Sequence, residues 1–277
     1  MRYWISLFLI GAALAGLFYF RQPNTLLTTK AAVSLEPIFL IPGSHATKDR
    51  FDVFVSKMIQ QRHLTADHLK IHVSHSGKLS LEGHLNHQSN HPFISVGFAD
   101  NQEKDVYLDS KWLRKAIERV QQIYPFSSYE AVGHSNGGLI LTELLESKCP
   151  KKFPRLTKFV AISTPFNGVL KKDNGSAIHF STLPHRSLML NHFLVHRSRL
   201  PKTLVMLSIA GNMAHSGSDG TVPVASAFSS RFIFQTQVRR YEEYLVSDKK
   251  SRHSAIVQND RVVYKLQKFL LDTAVYP

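Results

Sequence analysis

A chain of 277 residues, 43% hydrophobic and 19% charged, has the apolar content to bury one sizeable core and is not the composition of a disordered polymer. Its formal net charge of +14 suits an anionic neighbour such as an acidic lipid surface or wall polymer, but the basic residues form no run and no nucleic-acid motif, which sets a DNA or RNA role aside. A single cysteine, Cys149, excludes an intrachain disulfide and a multi-cysteine metal site.

Behind Met1-Arg2 runs YWISLFLIGAALAGLFYF, Tyr3 to Phe20, without one charge. As a helix this stretch measures about 27 Å, close to the ~30 Å hydrocarbon core of a bilayer. Ala13-Leu14-Ala15 has the small-residue pattern of a signal-peptide cleavage site, yet Leu17 to Phe20 continue the apolar run past it. That favours an uncleaved membrane anchor over residues 1–21, with secretion after cleavage as the alternative. Residues 22–34 are polar and irregular and read as a linker to a folded domain over 35–277.

Within the domain, EPIFLI (36–41) is a short apolar strand ending at Pro42-Gly43. Residues 50–62 carry a weak helical pattern through Phe51, Val55, Met58 and Ile59. LKIHVS (69–74) and KLSLEG (78–83) read as a hairpin or as adjacent strands, and PFISVGF (92–98) as a further strand. Asp109 is placed to cap a helix whose apolar face is Leu113, Ala116, Ile117, Val120 and Tyr124. Further strands are expected at YEAVG (129–133), KFVAIS (158–163), TLVMLSIAG (203–211) and RRYEEYLVS (239–247). A last helix uses Val262, Val263, Leu266, Phe269 and Leu270. Strands apolar on both faces, alternating with helices, predict an α/β fold with a mostly parallel central sheet flanked by helices. Residues 169–202, rich in His, Lys and Arg, break this rhythm and are too long for a plain connection, so they read as a lid inserted in the fold or as a surface loop.

The one G-x-S-x-G of the chain is Gly133-His134-Ser135-Asn136-Gly137. Where a strand turns sharply into a helix, glycines two residues either side of a serine let the backbone fold tightly and leave the hydroxyl exposed above the sheet. YEAVG supplies the strand, and Leu139, Ile140, Leu144 and Leu145 continue as the helix. Ser135 is therefore a candidate nucleophile rather than a serine in an ordinary turn. A serine hydroxyl needs a base to take its proton, and a carboxylate to orient that base. In this architecture the chain order is Ser, acid, His. Of the 15 histidines, His253 lies between the last strand and the last helix, where the base belongs; His215 is too near the proposed acid, and His179 to His196 fall in the inserted segment. Asp219, in the turn GSDGTVP, is the candidate acid, with Asp248 as its rival and Asp173 a poor third. For the developing oxyanion, the Asn136 N–H at the helix start supplies one donor and the Ser44 N–H the second, with the His45 N–H as its alternative. No metal-ligand set stands out, and no cofactor is needed.

The match extends beyond one motif. IFLIPGS, ISVGFADN, KWLRKAIERVQQIYPFSSYEAVGHSNGG, ISTPFNG, GSDGTVPVASA and HSAIVQNDRVVYKLQKFL follow one another over most of residues 35–272. With them the chain resembles the alpha/beta-hydrolase superfamily and, within it, a family of Gram-positive cell-surface hydrolases of unknown function. The elbow, DGTVP and HSAIVQN segments are the specific ones. The resemblance implies an eight-stranded-type hydrolase core, export, and a triad of Ser135, Asp219 and His253. Two departures stand out: Pro42-Gly43 where such hydrolases often have His-Gly, and Asn136 where Met or Leu is common. Neither removes a backbone donor. The expectation is an outward-facing, membrane-anchored serine hydrolase of carboxylesterase or lipase type, acting on a small-molecule or lipid ester. Acyl transfer to an alcohol by the same residues is one alternative. A non-catalytic binding module on the same fold is another.

Overall fold

The computed structural model describes residues 35–62, 67–85, 90–99, 105–175 and 177–272. The expected anchor over 1–21 and the linker 22–34 lie outside the described residues. Among the described residues, no helix is long and apolar enough to cross a membrane.

Eight strands form one sheet: β1 Ile38–Ile41, β2 His68–Val73, β3 Leu79–Glu82, β4 Phe93–Phe98, β5 Ser128–His134, β6 Arg155–Ile162, β7 Val205–Gly211 and β8 Arg240–Val246. Their spatial order is β3-β2-β4-β1-β5-β6-β7-β8. Every neighbouring pair is parallel except the edge hairpin β2–β3. The principal helices are α1 Asp52–Arg62, α2 Val106–Ile123, α3 Asn136–Glu146, α4 Lys171–Asn174, α5 Leu188–His196, α6 Val224–Phe228, α7 Ser230–Phe234 and α8 Asp260–Leu271.

The period of two along each strand divides the core. Phe39 and Ile41 of β1 pack with Leu113, Ile117, Leu139 and Ile140 of α2 and α3. Ile38 and Leu40 point to the other face, where they meet Phe54 and Met58 of α1 and Val262, Val263 and Leu266 of α8. A strand covered on both faces cannot alternate apolar with polar, and β1, β4 and β7 are buried along their whole length.

Two details depart from the expectations. Helix α2 starts at Val106, with Asp105 at its cap, so Asp109 is not a cap but a buried residue of the first turn. A carboxylate there still faces the positive end of the helix dipole. Residues 169–202 carry two helices that the sequence pattern did not announce, α4 and α5, and Leu190 and Phe193 of α5 are buried in the larger core cluster.

Candidate active site

Strand β1 lies between β4 and β5. The chain thus builds outward from β1 in both directions, and in open sheets of this kind ligands bind beyond the carboxyl ends of the strands at such a switch point. Ile41 of β1 pairs in register with Gly133 of β5. The turn after β1 and the turn after β5 therefore emerge side by side.

Ser135 occupies the second of these turns with φ 53° and ψ −125°. That region is sparsely populated for any residue with a Cβ, so the surrounding structure must hold it there. The holding is by close approach of backbone. A Cβ on Gly133 would stand 2.6 Å from the Gly138 nitrogen, and one on Gly137 would run into the Ile41 carbonyl oxygen. Gly43, in the turn after β1, is as tightly placed: a Cβ there would lie 2.6 Å from that of Ser135. The Ser135 N–H donates to the Ile162 carbonyl at 2.9 Å, which ties the turn to β6.

Asp219 and His253 come from the loops after β7 and β8, and the structure brings both to Ser135. His253 Nδ1 lies 2.7 Å from Asp219 Oδ2, and His253 Nε2 lies 3.1 Å from Ser135 Oγ. An ionised carboxylate only accepts, so Nδ1 carries the proton and Nε2 presents its lone pair to the serine hydroxyl. Asp219 is fully buried, and its other oxygen accepts the Thr221 and Val222 N–H groups at 2.9 and 2.7 Å. These two bonds fix which oxygen faces the imidazole. Asp248, the rival acid, is engaged elsewhere: its Oδ1 accepts the Lys250 N–H and the Asn259 side-chain amide. His215 is exposed in a short turn after β7.

The base is also held through its backbone. The His253 N–H donates to the Asp219 carbonyl at 2.9 Å. Arg50 donates to the Ser254 carbonyl at 2.6 Å, and Lys57 to that of Gln258 at 2.7 Å. His134, the residue before the nucleophile candidate, reaches the same loop: its Nε2 lies 3.0 Å from the His253 carbonyl oxygen. A carbonyl only accepts, so Nε2 is the protonated nitrogen. The two imidazole rings lie 4.8 Å apart. Burial, then the nearby His253 and Arg50, hold the His134 pKa well below the ordinary imidazole value. It is a neutral donor beneath the site. The sequence places the His134 side chain near the pocket, with local turn hydrogen bonds as the alternative, but does not announce its support of the His253 loop.

Of the two expected oxyanion donors, Asn136 follows Ser135 in the chain and Ser44 belongs to the turn after β1. Asn136 is the first residue of α3, at the positive end of the helix dipole. Ser44 follows Gly43, whose place against Ser135 brings that turn beside the hydroxyl; Ser44 is half-buried. His45, the alternative, is exposed with φ 59°. Such a set can take a proton from a hydroxyl, return it to a leaving group, and meet negative charge with backbone dipoles.

The inserted segment is fastened by amides that sequence reasoning did not single out. The Asn167 side-chain amide donates to the His185 carbonyl at 2.9 Å and to Asn174 Oδ1 at 3.1 Å, and its oxygen accepts the Ser187 N–H at 2.7 Å. Asn174 answers with a bond to the Leu170 carbonyl at 2.9 Å. Nothing in the spacing of two asparagines announces this, because the groups they satisfy are backbone atoms of a folded loop.

The model of a family described as alpha/beta hydrolases of unknown function (DUF915) matches residues 27–273. Among solved structures, a Listeria innocua protein is 30% identical, with a TM-score of 0.81 over 86% of this chain and 95% of that one. A protein of Lactobacillus plantarum WCFS1, whose description proposes a cell surface hydrolase, is also 30% identical, with a TM-score of 0.72 over 86% of this chain and 92% of that one. No curated protein matches this chain.

Proposed function

The chain belongs to a family of alpha/beta hydrolases of unknown function, and on that premise we propose that it is an extracytoplasmic serine hydrolase that cleaves acyl esters. The observation that carries the reading is the single imidazole, His253, within hydrogen-bond reach of both Ser135 Oγ and Asp219 Oδ2. In the first half-reaction Ser135 Oγ attacks the acyl carbonyl carbon while His253 Nε2 takes its proton. The tetrahedral oxyanion is met by the backbone N–H groups of Ser44 and Asn136. Collapse expels the alcohol, which receives the proton from His253, and leaves an acyl-serine. Water then repeats the cycle: His253 takes its proton, the hydroxide adds to the acyl carbon, and the acid departs as Ser135 regains its hydrogen. Asp219 holds the imidazole in the required tautomer and stabilises its positive charge. An ester is favoured over an amide because an alkoxide leaves with less help than an amine. The outward location is supported by the likeness to the Lactobacillus plantarum protein described in terms of the cell surface.

The test is covalent labelling of the full chain with a fluorophosphonate probe, beside Ser135→Ala, followed by a screen of short- and long-chain esters. Labelling of the wild type that Ser135→Ala abolishes, with ester turnover lost in the same variant, is the expected result. A folded wild type that neither labels nor hydrolyses any ester overturns the reading.

A further inference from the structure

Away from Ser135, α2, α3 and α5 enclose a cavity of about 350 Å³ lined by Glu143, Glu146, His192 and His196. The first two are three residues apart on α3 and the last two are four apart on α5. Either spacing puts both side chains on one face of a helix. The ligand atoms that Glu146, His192 and His196 offer all lie within 4.8 Å of one another. Around a tetrahedral zinc ion, ligand atoms stand about 3.4 Å apart, so a small inward movement of the exposed His192 and half-buried His196 imidazoles would close the set.

Two further observations point the same way. Glu146 is 2% exposed, and neither of its carboxylate oxygens has a hydrogen-bond partner among the described residues. Such a group is costly to leave alone in a protein interior. Each histidine already spends one ring nitrogen on an outer partner. His196 Nδ1 lies 3.0 Å from the His192 carbonyl, so it is the protonated nitrogen and Nε2 keeps its lone pair. His192 Nε2 lies 2.7 Å from Glu143 Oε2, which leaves Nδ1. A carboxylate or carbonyl behind the imidazole is the usual support of a metal-binding histidine.

We propose that Glu146, His192 and His196 bind one divalent transition-metal ion, Zn2+ by their donor types, and that this ion fastens the inserted segment to the helix that follows Ser135. Glu143 orients His192 from behind. Lys111, Arg114, Lys148 and Arg199 line the same cavity, and their charge disfavours a hard cation held by electrostatics alone. Lys111 stacks over the Tyr107 ring, and Arg199 reaches the Glu146 carbonyl at 3.2 Å. Two imidazole nitrogens beside one carboxylate favour Zn2+ over Ca2+ or Mg2+, which take oxygen donors. The pairing of the two motifs is invisible along the chain, since 46 residues separate Glu146 from His192.

The test is calorimetric titration of the chelator-treated full chain with Zn2+, beside His192→Ala, His196→Ala and Glu143→Gln. Expected are one ion per chain, a rise in thermal midpoint, and slower protease cleavage between residues 175 and 187 with zinc bound. Either alanine variant should weaken binding at least about tenfold, and Glu143→Gln by about 10- to 100-fold. Both histidines are partly or fully exposed, so these variants keep the fold, which circular dichroism checks. No saturable site in the wild type overturns the proposal. Binding as tight as wild type in both alanine variants does the same by assigning the ion to other residues, and unchanged proteolysis overturns the fastening role.

Discussion

The corner around Ser135 and the inserted segment 169–202 are held by different physics. At the corner the constraint is exclusion: backbone strands approach so closely that Gly133, Gly137 and Gly43 leave no room for a Cβ, and Ser135 is kept in a conformation it would not choose. In the insertion satisfaction adds to apolar anchoring: Leu190, Phe193 and Leu200 are buried, and Asn167 and Asn174 fill the hydrogen-bonding needs of the irregular stretch between the helices. Leu188 and Val195 stay 90% and 74% exposed on the same helix. Exclusion gives rigid placement to tenths of an ångström, which acid–base chemistry requires. Satisfaction gives a segment that can be released by losing a few bonds.

The sharpest way to break this contrast is to alter chemistry at the corner without altering shape. Asp219→Asn keeps the side-chain volume but replaces the oxygen facing His253 Nδ1, or forces the opposite tautomer. A loss of about 10⁴-fold in kcat for an ester substrate is expected, some 5.5 kcal/mol of transition-state stabilisation, with unfolding little changed. An active Asp219→Asn enzyme would show that another carboxylate orients the base. Next comes Gly137→Ala. Its Cβ would meet the Ile41 and Pro42 carbonyl oxygens, which are backbone and cannot swing aside. A cost of about 3 kcal/mol in urea unfolding follows, together with loss of fluorophosphonate labelling. A variant as stable as wild type would refute exclusion as the source of rigidity.

Asn167→Ala tests the other region. It leaves the Ser187 N–H and the His185 carbonyl without their partner, at a cost of about 2 kcal/mol. Limited proteolysis should nick residues 175–187 several-fold faster, while labelling of Ser135 stays within a few-fold of wild type. Labelling that collapses in step with proteolysis would mean that the insertion shapes the corner, and the two regions are not independent.

This division also decides what the sequence reveals. Exclusion is written locally, as glycines two residues from a serine, and the order of loops along the chain places Asp219 and His253. Strands buried on both faces announce a parallel sheet, and all eight were legible, including the edge hairpin β2–β3 as one of two readings. Long-range satisfaction leaves no such trace. Asn167 serves carbonyls up to 18 residues away, and Arg50 serves one 204 residues away. Asp109 looked like a helix cap because capping residues and buried first-turn carboxylates are the same residue type seen from one dimension. The short helices α6 and α7 were missed because five residues show too little of a helical period to register.

The smallest effect probes the corner from beneath. His134 donates from Nε2 to the His253 carbonyl and is buried with its pKa depressed. Its stabilising contribution is therefore fully present above the unfolded value near 6.5 and is lost as pH falls below it, because the unfolded chain takes up a proton that the folded site resists. The loss is at most about 1.4 kcal/mol per pH unit. His134→Gln keeps a side-chain N–H but has no proton to gain. Near pH 7.5 the variant should be less stable than wild type by about 1 kcal/mol, with kcat down about tenfold or less as the base loop loosens. On going to pH 5.5 the wild-type advantage should shrink or reverse, since only the wild type carries the titrating group. Urea unfolding at the two pH values reads the gap directly. A gap that stays constant would mean that His134 is protonated with little penalty, and the close packing assigned to the corner would then not extend below the nucleophile.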